Sequence, residues 1–544
     1  MGKNKNRILI LMMFFITSVS LAQVNRYMIF FTNKENSEYS INQPEQYLSP
    51  RAIERRIKFK IPITEQDLPV NDAYVDEIKN LGIDVFFISR WFNAMLVEME
   101  VSLIESVENQ TFVKKVSYVA PGNRLLKEPY PQNTTSIEKS TKKSNITNAL
   151  QNNMIGVDMM HQEGFTGKDI LIGIFDAGFT GVDQSIYFNH LFNENKILAV
   201  KDFIRNSGNV YQYDDHGTGV LSTISGFEES VYEGIAYDAD VILCVTEDVP
   251  TEYLIEEYNW LFAAEYADSL GVDIINTSLG YNTFDDPDMN YTYENLDGNT
   301  AIITQATDIA ASKGILCVVS VGNEGNNSWK KLVAPADADT VLAVGAVNAD
   351  LEYINFSSTG PTADYRIKPE VAALGQGTKI VQYDGEISTG NGTSFASPLV
   401  AGLAAGLWEA YPQLSNLELI DLIKRGSSQY FQPDTLLGYG IPDYRRIQSV
   451  ITAINEDLLP SEFKLYPNPV DNHKLVVEFT GVQINSSVII DINNINGKNV
   501  FHLSISKYDK QNNLELDLHG LRKGIYILNL VHGRYSGSAK ILIP

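Results

Sequence analysis

Residues 392–402 read Gly-Thr-Ser-Phe-Ala-Ser-Pro-Leu-Val-Ala-Gly, and this stretch is the most informative part of the chain. Its small and apolar residues predict a helix that begins near Ser394 and continues into a buried segment. Backbone N–H groups at a helix start lack partners within the helix, so they can stabilise a negative charge beside that serine. Ser394 therefore fits the nucleophile of an acyl-transfer reaction, although most serines at helix starts are only caps.

Two upstream segments supply an aspartate and a histidine that could serve such a serine. Residues 170–175 read Ile-Leu-Ile-Gly-Ile-Phe, which predicts a buried parallel strand that ends at Asp176, where open α/β sheets carry functional groups. Residues 213–220 read Tyr-Asp-Asp-His-Gly-Thr-Gly-Val and place His216 before a turn into apolar sequence. Each residue alone is more typical of a turn or a cap, but the order Asp, His, Ser is one that serine-protease triads use.

A fourth segment ends in an asparagine. Residues 314–325 read Gly-Ile-Leu-Cys-Val-Val-Ser-Val-Gly-Asn-Glu-Gly, which predicts a strand followed by Asn323. The side-chain amide of an asparagine at a strand end can donate a hydrogen bond to an oxyanion. Gly-Asn-x-Gly is also favourable turn sequence, and the two interpretations are compatible.

The four motifs resemble those of the subtilases, the subtilisin-like serine proteases. The resemblance covers about residues 151–450 and rests on Ile-Gly-Ile-Phe-Asp-Ala-Gly at Asp176, His-Gly-Thr-Gly at His216, Gly-Asn-Glu-Gly at Asn323 and Gly-Thr-Ser-Phe-Ala-Ser-Pro at Ser394. It implies an α/β fold with a doubly wound, mostly parallel sheet. It also implies a serine endopeptidase that hydrolyses peptide bonds through an acyl-enzyme.

The resemblance implies a role for each of these residues. Ser394 is the nucleophile, His216 the general base and acid, and Asp176 the group that orients the imidazole. Asn323 and the backbone N–H of Ser394 hold the oxyanion. The strand that pairs with an extended substrate consists, by the same resemblance, of Ser278, Leu279 and Gly280.

Two positions depart from the family pattern. Ala177 follows the aspartate where the family usually has Ser or Thr, and Gly219 stands where it often has a second histidine. Neither position moves a proton, so we expect altered local hydrogen bonding and retained activity. The alternative is a catalytically silent binding or scaffolding protein of the same fold at the cell surface. Such a protein is free to lose the triad or the oxyanion asparagine, and all four residues are present.

The N-terminus has the three parts of a secretory signal peptide. Lys3, Lys5 and Arg7 precede the apolar residues 8–16, and Ser-Leu-Ala at 20–22 supplies small residues for cleavage. We therefore expect a signal peptide over residues 1–22 and export of the protein. A short buried helix is the alternative, which the basic residues at the terminus disfavour.

The next segment, residues 23–120, predicts a small α+β domain. Its apolar runs predict strands at 27–31, 85–89 and 94–99, and Ser-Pro-Arg-Ala from Ser49 predicts a helix start. By resemblance it is the inhibitory propeptide of a subtilase. Residues 121–150 are rich in Lys, Ser, Thr and Asn, which indicates an exposed linker that contains the maturation bond.

The tail, residues 461–544, follows a linker at 451–460 and predicts a small antiparallel β-sandwich. It contains Leu-Tyr-Pro-Asn-Pro-Val from Leu465 and Leu-Arg-Lys-Gly-Ile-Tyr from Leu521. These motifs resemble the C-terminal sorting domain of type IX secretion, which implies a Gram-negative bacterium of the Bacteroidota type, passage through the periplasm, and a secreted or cell-surface protein. A carbohydrate- or surface-binding module of similar build is the alternative.

Composition limits the partners. The formal net charge of −25 makes binding to nucleic acid improbable and otherwise favours solubility. Cys244 and Cys317 lie in apolar runs and are interpreted as small buried residues, with a disulfide left open. No segment beyond the signal peptide predicts a membrane span. We expect a monomer that needs no cofactor. Its expected partners are protein or peptide substrates and the type IX secretion machinery.

A structural calcium ion is a further hypothesis. Asp285, Asp286 and Asp297 lie in a long acidic segment after residues 278–280, and hard cations take such oxygen ligands. The spacing matches no standard calcium loop, so a solvated acidic loop is the commoner interpretation.

Overall fold

The computed structural model describes residues 24–122, 146–458, 463–479, 488–494, 499–505, 513–532 and 535–544. The expected signal peptide and most of the expected linker at 121–150 lie outside these residues. The chain forms two compact units, one reaching to residue 424 and including 428–442, the other comprising 425–427 and 443–544. No helix among the described residues has the length and apolar character needed to cross a membrane.

The first unit begins with a four-stranded antiparallel sheet in the order β2-β3-β1-β4. Its strands are β1 Val24–Phe31, β2 Asp84–Ser89, β3 Ala94–Glu100 and β4 Val113–Pro121, and its helices are α1 Pro50–Lys58, α2 Asp72–Asn80 and α3 Ile104–Glu108. Helix α1 begins after Ser49, whose hydroxyl accepts a hydrogen bond from the Ala52 N–H at 3.2 Å. One core joins the sheet to the helices through residues such as Ile29, Ile78 and Met95. This is the small α+β fold expected before the main domain.

A seven-stranded sheet in the order β13-β12-β11-β10-β5-β9-β6 forms the centre of the first unit, and all its pairings are parallel. The strands are β5 Leu171–Asp176, β6 Ile197–Asp202, β9 Asp240–Val245, β10 Ile274–Thr277, β11 Leu316–Ser320, β12 Leu342–Val347 and β13 Val371–Leu374. Two hairpins add β7 Phe227–Glu228 with β8 Tyr232–Glu233, and β14 Gln376–Val381 with β15 Ile387–Asn391. The order reverses between β5 and β10, which confirms the doubly wound sheet and creates a crevice at the carboxyl ends of these strands.

Helices accompany this sheet. They are α4 Ala149–Met154, α5 Val157–Gln162, α6 Asn189–Asn193, α7 His216–Ser225, α8 Ile255–Leu270, α9 Ile302–Ser312, α10 Thr393–Ala410 and α11 Asn416–Arg425. Helix α10 is buried over almost its whole length and contacts α7 and strands β10 to β13. Because the helix is buried on all sides, neighbouring elements fix the position of its first turn.

The two cysteines are buried and free. Cys244 lies in β9 and Cys317 in β11, and strands β5 and β10 separate them in the sheet. Three strand spacings of about 4.8 Å put them well beyond the reach of a disulfide. Burial raises the pKa of both thiols, so they act as small core residues.

The second unit contains α12 Tyr444–Leu458 and two antiparallel sheets, in the orders β16-β17-β20 and β19-β18-β21-β22. The strands are β16 Phe463–Asp471, β17 Lys474–Phe479, β18 Val488–Asn494, β19 Asn499–Ile505, β20 Asn513–Asp517, β21 Gly524–His532 and β22 Tyr535–Ile543. Leu475 and Val477 from one sheet share a core with Ile490, Leu528 and Ile541 from the other. The expected small β-sandwich is confirmed.

Candidate active site

Asp176 is the last residue of β5 and lies at the carboxyl edge of the sheet, 1% exposed. Its Oδ1 accepts hydrogen bonds from the Ala177 N–H at 2.8 Å and from His216 Nδ1 at 2.7 Å. Its Oδ2 is buried and accepts no hydrogen bond from the described residues. Ala177 has no hydroxyl, so it contacts the Asp176 carboxylate through its backbone N–H.

His216 is the first residue of α7, and its N–H donates to Asp214 Oδ1 at 2.8 Å. The imidazole is 33% exposed, so one face reaches solvent while Nδ1 faces Asp176. Burial disfavours the charged ring, but the carboxylate of Asp176, followed by the charges of Asp214 and Glu247, outweighs burial and raises the pKa of His216 to about 9. The tautomer with Nδ1 protonated leaves Nε2 as the base.

Ser394 is the second residue of α10 and is 8% exposed. Helices α7 and α10 pack together, and the ring of Phe395 lies 5.5 Å from the imidazole of His216, centre to centre. The described hydrogen bonds of His216 go to Asp176 and Asp214, and the Ser394 hydroxyl is not among them. Such contacts are often long before substrate binds, so the arrangement still suits proton transfer from the serine.

Asn323 follows β11 and is fixed against the start of α10. Its Oδ1 accepts hydrogen bonds from the N–H of Thr393 at 2.9 Å and from its hydroxyl at 3.1 Å. The amide is thereby oriented with Nδ2 free to donate. A methyl group added to Gly392 would lie 3.6 Å from Asn323 Nδ2 and 3.7 Å from the Ser394 N. The Asn323 side-chain amide and the Ser394 N–H therefore lie near one another beside Gly392.

Residues 278–280 follow β10 directly. The Ser278 hydroxyl points into the protein and donates to the Ser394 carbonyl at 2.8 Å. Leu279 is 8% exposed, and any Cβ on Gly280 would overlap the side chain of Val333. The segment therefore lies beside Ser394, with the side chains of Ser278 and Leu279 buried.

A cleft of about 220 Å³ adjoins the imidazole. It is lined by Asp214, Asp215, His216, Gly219, Ile380, Val381, Gln382 and Phe395. A Cβ on Gly219 would lie 3.2 Å from both Ile380 and Phe395, so a larger residue here would require these side chains to shift by a few tenths of an ångström.

Glu247 is a site residue that sequence analysis missed. It lies two residues beyond the end of β9, its Oε1 accepts a hydrogen bond from the Tyr281 hydroxyl, and its charge acts on both Asp176 and His216. Burial, with the charge of Asp176, raises its pKa, although the Tyr281 hydrogen bond opposes this. The signal that could have revealed it is the one used for Asp176, namely a carboxylate just after a buried parallel strand.

The three calcium candidates each accept hydrogen bonds from nearby groups. Asp285 Oδ2 accepts from the Glu252 N–H, Asp286 Oδ1 from the Asp288 N–H, and Asp297 from Asn299 and Thr300. Asp286 and Asp297 thus stabilise local turns, whereas Asp285 links its loop to the segment at Glu252. Among the residues that the structure describes, no three His, Cys, Asp or Glu side chains are placed to share a metal ion.

The N-terminal α+β domain packs on α8 through buried charges. Asp268 of α8 is fully buried and forms ion pairs with Arg55 and Arg90 at 2.7 Å and with Arg56 at 2.9 Å. Glu265, one turn earlier on α8, accepts hydrogen bonds from the backbone N–H groups of Arg90 at 2.8 Å and of Trp91 at 3.2 Å. This interface joins the two parts of the first unit.

Family models match the two ends of the chain. The model of the secretion system C-terminal sorting domain matches residues 464–544, and the model of the peptidase S8 propeptide domain of Bacteroidota matches residues 26–138. These matches confirm the propeptide and the sorting domain that the sequence motifs predict. The protein is therefore exported to the cell surface or the medium.

Known proteins resemble the central part. Subtilisin E of Bacillus subtilis (strain 168) is 30% identical over 281 residues, which cover 50% of this chain but only 65% of that protein, less than two thirds of its length. The subtilisin of Bacillus pumilus is 30% identical over 280 residues, which cover 50% of this chain and 90% of that protein.

Among solved structures, a variant of the epidermin leader peptide processing serine protease of Staphylococcus aureus has a TM-score of 0.53. It is 16% identical and covers 79% of this chain and 100% of that chain, which supports the fold alone. The subtilase family model matches residues 167–440, half of the chain and all of the site described above. The chain belongs to the subtilase family.

Proposed function

We propose that the protein is a secreted serine endopeptidase in which Ser394, His216 and Asp176 act as a catalytic triad. The observation that carries this proposal is the 2.7 Å hydrogen bond between His216 and Asp176 beside the buried start of α10, which bears Ser394. A carboxylate that raises the basicity of an imidazole next to a serine at a helix start is the arrangement that acyl transfer requires.

The reaction proceeds in two halves. Ser394 Oγ attacks the peptide carbonyl carbon while His216 Nε2 takes the hydroxyl proton, and the new oxyanion accepts hydrogen bonds from Asn323 Nδ2 and the Ser394 N–H. When the C–N bond breaks, His216 returns the proton to the leaving amine and an acyl-enzyme remains. Water then attacks the ester by the same route in reverse, releasing the carboxylic acid and the free serine.

The remaining parts of the chain complete the proposal. Residues 151–450 form the catalytic domain, and an extended peptide or protein substrate pairs with the backbone of 278–280. Residues 23–120 inhibit the enzyme until a bond within 121–150 is cut. Residues 461–544 direct the protein to the type IX secretion machinery. Incubating the purified precursor and sequencing the new N-terminus locates the cut, and an uncut, fully active precursor contradicts the propeptide role.

The test of the catalytic proposal is the variant Ser394→Ala, assayed by casein cleavage and by labelling with a fluorophosphonate probe. Both signals should disappear while the melting temperature stays close to that of the wild type. Ser388→Ala is a matched control, because the Ser388 hydroxyl in β15 makes no hydrogen bond to the described residues. Retained cleavage in Ser394→Ala refutes the assignment, and an unlabelled, inactive wild type favours a catalytically silent binding protein.

A further inference from the structure

The carbonyl of Ser394 cannot accept the usual α-helical hydrogen bond. In an α-helix the carbonyl of a residue accepts a hydrogen bond from the N–H four residues later. Four residues after Ser394 stands Pro398, which lies inside α10 and has no N–H. A buried carbonyl without a donor costs about 1–3 kcal/mol, so a donor from elsewhere is needed at this point.

The Ser278 hydroxyl supplies this donor, at 2.8 Å from the Ser394 carbonyl oxygen. The hydroxyl in turn accepts a hydrogen bond from Asn276 Nδ2 at 3.0 Å, and Asn276 Oδ1 accepts one from the Ser397 hydroxyl at 2.9 Å. The three hydrogen bonds close a ring that leaves α10 at Ser394 and returns to it one turn later at Ser397. All four residues are buried, Asn276 and Ser397 completely.

A second clamp holds the other side of the same turn. Asn323 Oδ1 accepts from the Thr393 N–H, so the residue before the nucleophile is tied to the end of β11. The ring through Ser278 ties the nucleophile's own carbonyl to the end of β10. The serine is thus placed between two adjacent parallel strands whose spacing the sheet determines.

We propose that Asn276, Ser278 and Ser397 are positioning residues for the nucleophile, a role that rests on the proposed function of Ser394. By replacing the hydrogen bond that Pro398 cannot make, Ser278 sets the orientation of the Ser394 peptide group. That orientation determines where Ser394 Oγ and the Ser394 N–H point. Misplacement of reacting groups by about 1 Å costs up to a hundredfold in rate.

The Ser278 side chain contacts the Ser394 carbonyl and does not face the substrate. Ser278 is 4% exposed and its only hydroxyl proton is donated to the Ser394 carbonyl. Only the backbone of this segment remains available for a substrate strand. Replacing the side chain should therefore affect the rate of acylation far more than the binding of substrate.

The first test is Ser278→Ala, assayed on a peptide substrate and on p-nitrophenyl acetate, which is too small to pair with residues 278–280. We expect kcat to fall about tenfold on both substrates, with KM for the peptide changing less than twofold. The matched control is Thr277→Val, because the buried Thr277 hydroxyl accepts from Trp260 Nε1 at 3.1 Å and lies outside the ring. It should lose stability while its kcat stays within twofold. A change confined to KM for the peptide, or an unchanged kcat, overturns the proposal.

The second test is a rescue. Pro398→Ala restores an N–H four residues after Ser394, which can donate to the carbonyl that Ser278→Ala leaves unpaired. The double variant Ser278→Ala/Pro398→Ala should recover at least threefold in kcat over Ser278→Ala alone. No recovery in a double variant that retains the melting temperature of Ser278→Ala contradicts the proposed role.

Ser394→Ala separates this inference from the proposed function. If Ser394→Ala abolishes fluorophosphonate labelling while Ser278→Ala labels at the wild-type rate, the inference fails and the triad stands. If Ser394→Ala retains labelling, the proposed function fails and the inference fails with it.

Discussion

At the scale of single residues, the site depends on how one carboxylate is held. Asp176 is almost fully buried at a strand end, and its Oδ1 faces both a backbone N–H and the imidazole. Burial alone would make the imidazole less basic, whereas the adjacent negative charge makes it more basic. The second effect prevails because the charge lies at hydrogen-bonding distance from Nδ1.

This balance predicts a protease that works best in alkaline solution. A general base acts only when it is neutral, and the pKa of His216 is raised to about 9. We therefore expect kcat/KM to rise with pH, about tenfold per unit, and to level off above about pH 9. Asp214→Asn removes one of the charges that raise this pKa and should move the profile to lower pH. An apparent pKa near the ordinary 6.5 would contradict the prediction.

At the scale of elements, the interface between the N-terminal domain and α8 depends on buried charge. Three arginines surround Asp268, which no solvent reaches. Removing one member of such a buried group is costly because the others keep their charge without full compensation. Arg51, by contrast, pairs with Asp273 and is 38% exposed, so solvent replaces much of that interaction.

We predict unequal effects of two substitutions in α1. In the Ser394→Ala background, which should keep the precursor intact, Arg55→Ala should destabilise the docked N-terminal domain by about 3 kcal/mol. Arg51→Ala should cost less than about 1 kcal/mol because its side chain is partly solvated. Thermal unfolding and limited proteolysis of the precursor measure the difference. Equal effects would show that the buried cluster does not hold the interface.

The acidic loop after β10 supports a separate prediction. Asp297 accepts two backbone hydrogen bonds at 2.8 Å and one from the Thr300 hydroxyl at 3.0 Å, so Asp297→Ala should cost about 1 kcal/mol. Because the carboxylate serves the turn, the loss should be the same with calcium and with EDTA. Asp288→Ala is the control, since the Asp288 carboxylate accepts no hydrogen bond from the described residues. A loss that appears only with calcium would indicate a metal ligand.

At the scale of the whole molecule, the chain joins a subtilase-family domain to a segment that matches a propeptide domain and a segment that matches a sorting domain. The propeptide match covers residues 26–138 and the sorting-domain match covers 464–544. The sorting domain has its own apolar core between two antiparallel sheets.

A core of its own makes the tail a suitable segment to delete. Deleting residues 461–544 should leave an enzyme that folds, matures and cleaves casein but accumulates in the periplasm. Cell fractionation with an activity assay measures the distribution, and a periplasmic marker protein serves as the control for leakage. Unchanged export would contradict the sorting role and favour a surface-binding module.

The sequence by itself determined the family, the sheet type and the residues of the proposed site. Apolar runs such as 170–175 are readable because a strand buried on both faces excludes polar side chains. Asp176, His216, Asn323 and Ser394 stand in short motifs, since each must follow a strand or begin a helix.

Tertiary structure alone decided which side chains meet. The Ser278–Ser394 hydrogen bond, the arginines around Asp268 and the position of Glu247 join residues far apart in the chain, and no local pattern encodes such pairs. Composition likewise counts the carboxylates after residue 280 but does not tell which groups they face. Such contacts depend on the packing of whole strands and helices, which local sequence does not determine.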